Sequence, residues 1–322
     1  MKPKKTQNYP LWIPAVLLLA IALVLGASAL PWAIEEITYL LDPASRLLVT
    51  PANYPRIDTS ASTQPVATLV FCRAAKVACT WEKNPQGQHF LKPDINEVPY
   101  TGFSGAHGAV ENLVLKQADL ILIPRAPSPD ELAFASRSGV TLESRPIALD
   151  ALVFIINAQN PLPSLTADQI KAIYTGQITN WSAVGLTDGV LHPYSRDRNS
   201  GSLELMEALV LQGAPPASMP KIIDGSAVTN DQIATDPYAL SYSVYYYEAR
   251  IAQNAQVRTV AVNGLYPDAS TIRTRQYPFV TEVYAVIRAD QDRESSAYHL
   301  YDWLLSSAGQ KLIEEAGYVP VQ

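Results

Sequence analysis

The segment best suited to bind a ligand is Arg196–Ser202 (RDRNSGS), which lies between a predicted strand and a predicted helix. The first amides of a helix have no partner within it, and the helix dipole gives that end a partial positive charge. Gly201 lets the backbone approach a ligand closely, and Ser200 and Ser202 supply hydroxyl donors. Arg196 can add a two-pronged, charge-assisted hydrogen bond. The segment therefore predicts a site for an oxyanion, although Ser-Gly-Ser is also a common helix cap.

Two further strand-to-helix junctions are rich in hydroxyl or small residues. The first is Thr59–Thr63 (TSAST), and the second is Thr101–Gly108 with Ser104 at its centre. Ordinary helix capping explains either junction alone. In open α/β sheets, however, ligands bind beyond the carboxyl ends of strands, where the helices begin. Three such junctions in one chain support a shared site, and the candidate residues outside the first segment are Ser60, Ser62, Thr63 and Ser104.

These junctions need strands and helices that alternate along the chain, and the sequence shows this pattern from residue 56 onwards. Asp119–Ile123 and Ala151–Asn157 are apolar runs of the kind found in strands that are buried on both faces. Thr166–Tyr174 has the pattern of a capped helix, and Ser296–Ala316 has that of a long terminal helix. The pattern predicts an α/β fold with parallel or mixed sheets flanked by helices.

Composition excludes several classes of protein. The 322 residues are 48% hydrophobic and 17% charged, which provides for a sizeable core and argues against wholesale disorder. The net charge of −6 disfavours nucleic acid as a partner. We find no Gly-x-Ser-x-Gly motif and no histidine at a recognisable triad spacing, so an enzyme is disfavoured. Two cysteines and four scattered histidines also argue against a zinc site, and no cofactor is expected.

Cys72 and Cys79 leave two alternatives open. In one unbroken helix, seven residues span about 10 Å, which is too far for a disulfide. The two cysteines therefore pair only if the helix ends between them, and otherwise they are two buried thiols.

The N-terminal region predicts a membrane anchor. Residues 11–34 contain no charged side chain and are long enough to cross a bilayer. The lysines before this run place the N-terminus in the cytoplasm and the rest of the chain outside. A signal peptide cleaved after Ala27-Ser28-Ala29 is the competing interpretation. We expect a basic tail at 1–10, a transmembrane anchor at 11–34 and a linker at 35–55.

Several segments resemble the phosphate-binding component of phosphate ABC transporters, a family of type II periplasmic binding proteins. The most specific segment is Ile173–Trp181 (IYTGQITNW), which is similar to the family pattern I-(F/Y)-x-G-x-I-x-N-W. The resemblance extends over roughly residues 55–320. The shorter matching segments are Arg56–Ser60 (RIDTS), Asn199–Ser202 (NSGS), Tyr238–Ser243 (YALSYS) and Gly317–Pro320 (GYVP).

The resemblance implies two lobes that close over an anion, built on two mixed or parallel sheets flanked by helices. Lobe 1 would comprise residues 56–147 with 283–322, and lobe 2 would comprise residues 148–282. The chain would cross between the lobes near Pro146–Leu152 and return near Tyr277–Val283. The residues implied to contact the anion are Ser60, Ser104, Arg196, Ser200, Gly201 and Ser202.

The sequence departs from the family at two of these loops. Thr59 and Ala61 replace a family glycine and a family hydroxyl, a change for which Ser62 and Thr63 would compensate. The family also places an aspartate after the strand that matches Asp119–Ile123. Here that stretch contains Arg125 and no acid, so selection against sulfate should weaken. Arg125 would either point inward as a second cation or remain a solvated loop residue.

The function expected from these features is an extracytoplasmic, membrane-anchored protein that binds phosphate or a similar oxyanion and delivers it to an ABC permease. The alternative is a tethered sensor or accessory protein of the same fold, with a different ligand or a protein partner and no role in transport.

Overall fold

The computed structural model describes residues 16, 42, 45–95, 101–198, 200–217, 222–223 and 225–321. The predicted basic tail and, apart from Val16, the predicted anchor lie outside these residues. Within the described ranges, no helix has the length and apolar character that crossing a membrane requires. The end of the predicted linker is described, and it packs on the fold. Val49 is buried, and the indole Nε1 of Trp303 donates to the carbonyl of Ser45 at 2.8 Å.

Strands and helices alternate along the described chain. The strands are β1 (Ile57–Thr59), β2 (Cys79–Lys83), β3 (His89–Pro93), β4 (Thr101–Phe103), β5 (Leu120–Ile123), β6 (Leu142–Asn157), β7 (Ser164–Leu165), β8 (His192–Pro193), β9 (Ser195–Arg196), β10 (Ile222–Ile223), β11 (Ala239–Val244), β12 (Val257–Val262), β13 (Val280–Arg288) and β14 (Val319–Pro320). The α-helices are α1 (Gln64–Ala75), α2 (Gly105–Val114), α3 (Pro129–Arg137), α4 (Ala167–Tyr174), α5 (Gly201–Leu205), α6 (Ser226–Thr235), α7 (Ala269–Arg273), α8 (Ser296–Trp303) and α9 (Ser307–Ala316). Wider π-helical turns follow at Met206–Leu211 and Tyr247–Ala252, and 3₁₀ turns lie at Pro51–Asn53 and Trp181–Val184.

The main sheet is mixed, with strand order β4-β1-β5-β13-β6-β11-β8. β1 is parallel to β4 and β5, whereas β13 is antiparallel to both β5 and β6. The α/β class predicted from the sequence is confirmed. The predicted pair of sheets forms one hydrogen-bonded sheet of ten strands, because β6 has 16 residues and is long enough to serve both halves.

Strand β6 runs through both of the predicted lobes. Its residues Leu142–Ala151 pair with β13, and its residues Leu152–Ile156 pair with β11. The change of partner falls beside Asp150, whose side chain is fully buried and accepts hydrogen bonds from the amides of Ala151 and Tyr246. Burial raises the pKa of Asp150 to about 7, since a charge is costly in that environment.

The terminal helix predicted at Ser296–Ala316 is wrong as a single element. Helix α8 ends at Trp303 and α9 begins at Ser307. The Ser306 hydroxyl accepts a hydrogen bond from the amide of Gly309 and so caps a new helix start. A Cβ at Gly309 would lie 2.2 Å from the carbonyl oxygen of Trp303, so only glycine permits this close turn.

Cys72 and Cys79 form a disulfide, with Cα atoms 6.0 Å apart. Helix α1 ends at Ala75, and Lys76 adopts a left-handed conformation (φ 55°) that turns the chain back. Because the helix breaks between the two cysteines, they can meet, and the disulfide rather than a pair of free thiols is the arrangement found.

Candidate functional site

A cavity of about 410 Å³ lies where several helices begin, and its lining residues come from both of the predicted lobes. Residues of the loops after β1, β4 and β5 line it from lobe 1, and residues of the loop after β9 and the starts of α5 and α6 line it from lobe 2. Seven of the nine residues predicted from the sequence are in its lining: Ser60, Ser62, Ser104, Arg196, Ser200, Gly201 and Ser202. Their contact with an anion stays a prediction.

Thr63 is not in the lining but holds the first loop in shape. It is fully buried, and its hydroxyl donates to the carbonyl of Leu122 in β5 at 2.6 Å. The same hydroxyl accepts from the amide of Ser60 at 3.0 Å. The hydroxyls of Ser60 and Ser62 are 3.3 Å apart and line the cavity. Thr63 therefore fixes the turn that presents the two serines.

Arg196 ends β9, and its guanidinium lies among serine hydroxyls. Its Nη1 donates to the Oγ of Ser226 at 3.1 Å and to the Oγ of Ser202 at 3.4 Å. The hydroxyls of Ser202 and Ser200 are 2.9 Å apart. A guanidinium can only donate, so these hydroxyls accept from it and keep hydrogens for other partners. The arrangement concentrates donors of the kind that an anion needs.

Gly201 brings the start of α5 against lobe 1. A Cβ at this position would lie 3.3 Å from the side chains of both Ala106 and Pro124. The glycine thus lets the first amides of α5, which have no partner within the helix, approach the opposite lobe.

The described lining contains a single carboxylate, Asp197, whose Oδ2 lies 3.8 Å from the Nη2 of Arg196. The tyrosine beneath the loop, Tyr242, is buried, and its hydroxyl accepts from the amide of Arg196 at 3.1 Å. Asp224 lies outside the described residues. The site therefore has one cation and one anion beside its hydroxyls and amides.

Arg125 is buried, so it is not a solvated loop residue. It is absent from the lining of this cavity, and its role as a second cation for the anion stays a prediction. Its Nη1 and Nη2 each donate to the carboxylate of Glu131 at 2.8 Å. Its Nε lies 2.6 Å from Oε2 of Glu204 in the other lobe. Two carboxylates thus surround this guanidinium on the far side of Gly201.

The carboxylates around Arg125 differ in their titration. Burial raises the pKa of Glu131, but hydrogen bonds from Arg125 outweigh burial and hold it below its usual range. Burial raises the pKa of Glu204 to about 7, and the attraction of Arg125 only partly opposes this rise. The guanidinium of Arg125 therefore stabilises the charged form of Glu131 more than that of Glu204.

Among the hydroxyl-bearing residues of the lining, the sequence reasoning missed three, Ser226, Ser243 and Tyr247. Ser226 follows Gly225 and starts α6, so this junction has a glycine beside a serine at a helix start, as Arg196–Ser202 has. No local signal distinguishes a tyrosine that lines a cavity from one that packs in the core, so Tyr247 could not be identified from the sequence. Its hydroxyl accepts from Nε2 of Gln88 at 2.6 Å, which joins the β2–β3 hairpin to lobe 2.

Comparisons with known proteins agree with this architecture. Residues 86–308 match the family model of the PBP superfamily domain. The phosphate-binding protein PstS of Borreliella burgdorferi is 25% identical over 181 residues, which cover 54% of this chain and 64% of that protein. PstS of Bacillus subtilis is 26% identical over 177 residues, which cover 54% of this chain and 56% of the relative. The chain thus aligns with less than two thirds of the length of these two relatives.

Among solved structures, a protein from Clostridium perfringens assigned as a phosphate ABC transporter substrate-binding protein, with phosphate bound, superimposes with a TM-score of 0.65. The sequences are 20% identical, and the superposition covers 83% of this chain and 99% of that one. This similarity shows the shared two-lobed fold.

Proposed function

The chain belongs to the PBP superfamily, and from this premise we propose that it is an extracytoplasmic solute-binding protein whose two lobes close over phosphate. The observation that carries the proposal is the convergence of several serine hydroxyls, helix starts and Arg196 on one cavity between the lobes. Hydroxyl and amide donors with one guanidinium suit a small oxyanion, because every oxygen of the anion can accept hydrogen bonds.

Phosphate is the oxyanion we favour. The relatives PstS of B. burgdorferi and B. subtilis are phosphate-binding proteins by name. Asp197 supports the choice, since a carboxylate in the lining can accept the hydrogen of a protonated phosphate oxygen. Asp197 also lies close to Arg196, so part of the effect of its negative charge is to attract that guanidinium. We therefore expect only weak exclusion of sulfate.

The proposed setting is the outer face of a membrane, with delivery of the ligand to an ABC permease. The charge-free residues 11–34 and the lysines before them support an N-terminal anchor. Hinge closure about β6 would bury the ligand, because the residues that line the cavity come from both lobes.

Calorimetric titration of the full-length protein in detergent tests the proposal, with phosphate, sulfate and other oxyanions as titrants. We expect saturable heat with phosphate and weaker heat with sulfate. The Arg137→Ala variant is the matched control, because Arg137 is an exposed arginine on α3 that does not line the cavity. Absence of heat with every oxyanion would reject the proposed site.

A further inference from the structure

Ser104 has a hydrogen-bond arrangement that decides which way its hydroxyl points. The residue lines the cavity, and its Oγ receives a hydrogen bond from the side-chain Nδ2 of Asn112 at 3.0 Å. An amide nitrogen can donate but not accept. The Ser104 oxygen must therefore accept from Asn112, and its own hydrogen is left for a partner in the cavity.

The orientation of the Asn112 amide is in turn fixed by Asp58. The same Nδ2 lies 2.6 Å from Oδ2 of Asp58. A carboxylate oxygen only accepts, so the amide nitrogen of Asn112, and not its oxygen, must face this side. The two hydrogens of Nδ2 then serve Asp58 and Ser104, and a flip of the amide would place an oxygen against a carboxylate.

Asp58 is held tightly in place. It is fully buried at the centre of β1, and its Oδ1 accepts from the amide of Thr59 at 2.7 Å and from the amide of Ser104 at 3.1 Å. Gly102 makes room for it, because a Cβ there would lie 2.6 to 2.9 Å from the carboxylate atoms. Asp58 therefore fixes the backbone of Ser104 directly and its side chain through Asn112.

We propose that Asp58 and Asn112 are positioning residues that make Ser104 a hydrogen-bond donor to the bound anion. The inference rests on the proposed function and deepens it. Neither residue touches the ligand. They set the polarity of a hydroxyl that, without them, could present either its hydrogen or its lone pairs, and lone pairs repel an anion.

A double-mutant cycle with inorganic phosphate, measured by calorimetry on the full-length protein at pH 8, tests this inference. We expect Ser104→Ala to weaken binding about tenfold, which is typical of a lost hydrogen bond to a charged group. Asn112→Leu should weaken it about fivefold in the wild-type background and less than twofold once Ser104 is alanine. Additive losses, or no loss from Asn112→Leu alone, would overturn the inference.

Two further variants separate positioning from general damage. Asn112→His keeps a nitrogen donor for Asp58 but carries only one hydrogen on it, so we expect near-normal thermal stability with the affinity loss of Asn112→Leu. Asn180→Leu removes another structural asparagine. The Oδ1 of Asn180 accepts from the amides of Ser182 and Gly189, in a turn that does not line the cavity. Its affinity should remain that of the wild type. A histidine variant with full affinity, or an equal loss in Asn180→Leu, would refute positioning.

The Arg196→Ala variant keeps this test distinct from that of the proposed function. If the wild type gives no heat with phosphate, the function and the inference fall together. If the wild type binds, Arg196→Ala does not bind and the cycle is additive, the function stands and only the positioning role is lost.

Discussion

Arg125 and Arg196 make an instructive comparison, because they share almost every property that sequence and burial record. Arg196 is the last residue of β9 and Arg125 follows the end of β5, and the two residues are 7% and 5% exposed. Their neighbours differ. Arg125 faces the carboxylates of Glu131 and Glu204, whereas Arg196 donates to the hydroxyls of Ser202 and Ser226.

The difference teaches that burial alone does not identify an arginine that binds an anion. A guanidinium between two carboxylates lies in a region with no net positive charge left for a ligand. The guanidinium of Arg196 lies 3.8 Å from the carboxylate of Asp197 and donates to the hydroxyls of Ser202 and Ser226, whose own hydrogens can serve an incoming anion. Arg125 therefore serves the fold and the contact between lobes, and Arg196 serves the proposed site.

The largest effect that follows from this comparison is on stability. Arg125→Ala should lower the free energy of unfolding by about 3–5 kcal/mol, because it leaves the buried Glu131 without its partner. Urea denaturation without ligand measures the change. A loss below about 1 kcal/mol would show that Arg125 is not the structural member of the pair.

Arg196→Ala should show the opposite division between binding and stability. We expect phosphate affinity to fall at least about tenfold, since the site loses its cation, while the free energy of unfolding changes by less than about 1 kcal/mol. Calorimetry and urea denaturation of the same preparation separate the two effects. An unaltered affinity would remove Arg196 from the proposed site.

Ser226→Asp should give the Arg196 guanidinium an additional carboxylate partner, as Arg125 has in Glu131 and Glu204. The new carboxylate would lie near Nη1, which is now 3.1 Å from the serine hydroxyl, and would compete with the anion. We expect about a tenfold loss of phosphate affinity at pH 8, and fold stability should be kept because an acid suits the first turn of α6. The matched variant Ser226→Ala should lose about twofold. Equal affinities of the aspartate and alanine variants would contradict the comparison.

The smallest effect concerns pH. The pKa of Glu204 is raised to about 7 from an ordinary value of 4.5, so the folded protein holds this proton more strongly than the unfolded chain. Stability should therefore fall as pH rises from 4.5 to 7. Glu204→Gln has no such proton and should exceed the wild type by on the order of 1 kcal/mol above pH 7, with no gain below pH 5.

Thermal melts of both proteins across pH 4.5 to 8 measure this difference. Other groups that titrate, such as Asp150, are present in both proteins, so their effect cancels in the difference. Parallel profiles would show that Arg125 satisfies both of its carboxylates equally.

Local features of the fold were determined by the sequence alone. The buried strand at Leu120–Ile123, the cap of α4 and the helix starts rich in hydroxyls follow from hydrophobic runs and capping residues within a few positions of one another. Seven candidate site residues line one cavity for the same reason: strand ends and helix starts of an α/β fold meet at one edge of the sheet.

What the tertiary structure decided depends on residues far apart in the chain. Glu204 on the opposite lobe lies 2.6 Å from Nε of Arg125, and Asp58 on another strand holds the Asn112 amide that donates to the Ser104 hydroxyl. The pairing of Cys72 with Cys79 required a helix to end where no glycine or proline marks it. Charge and hydrogen-bond partners act over a few ångströms in space, and sequence patterns report only neighbours along the chain, so these contacts had no local signal.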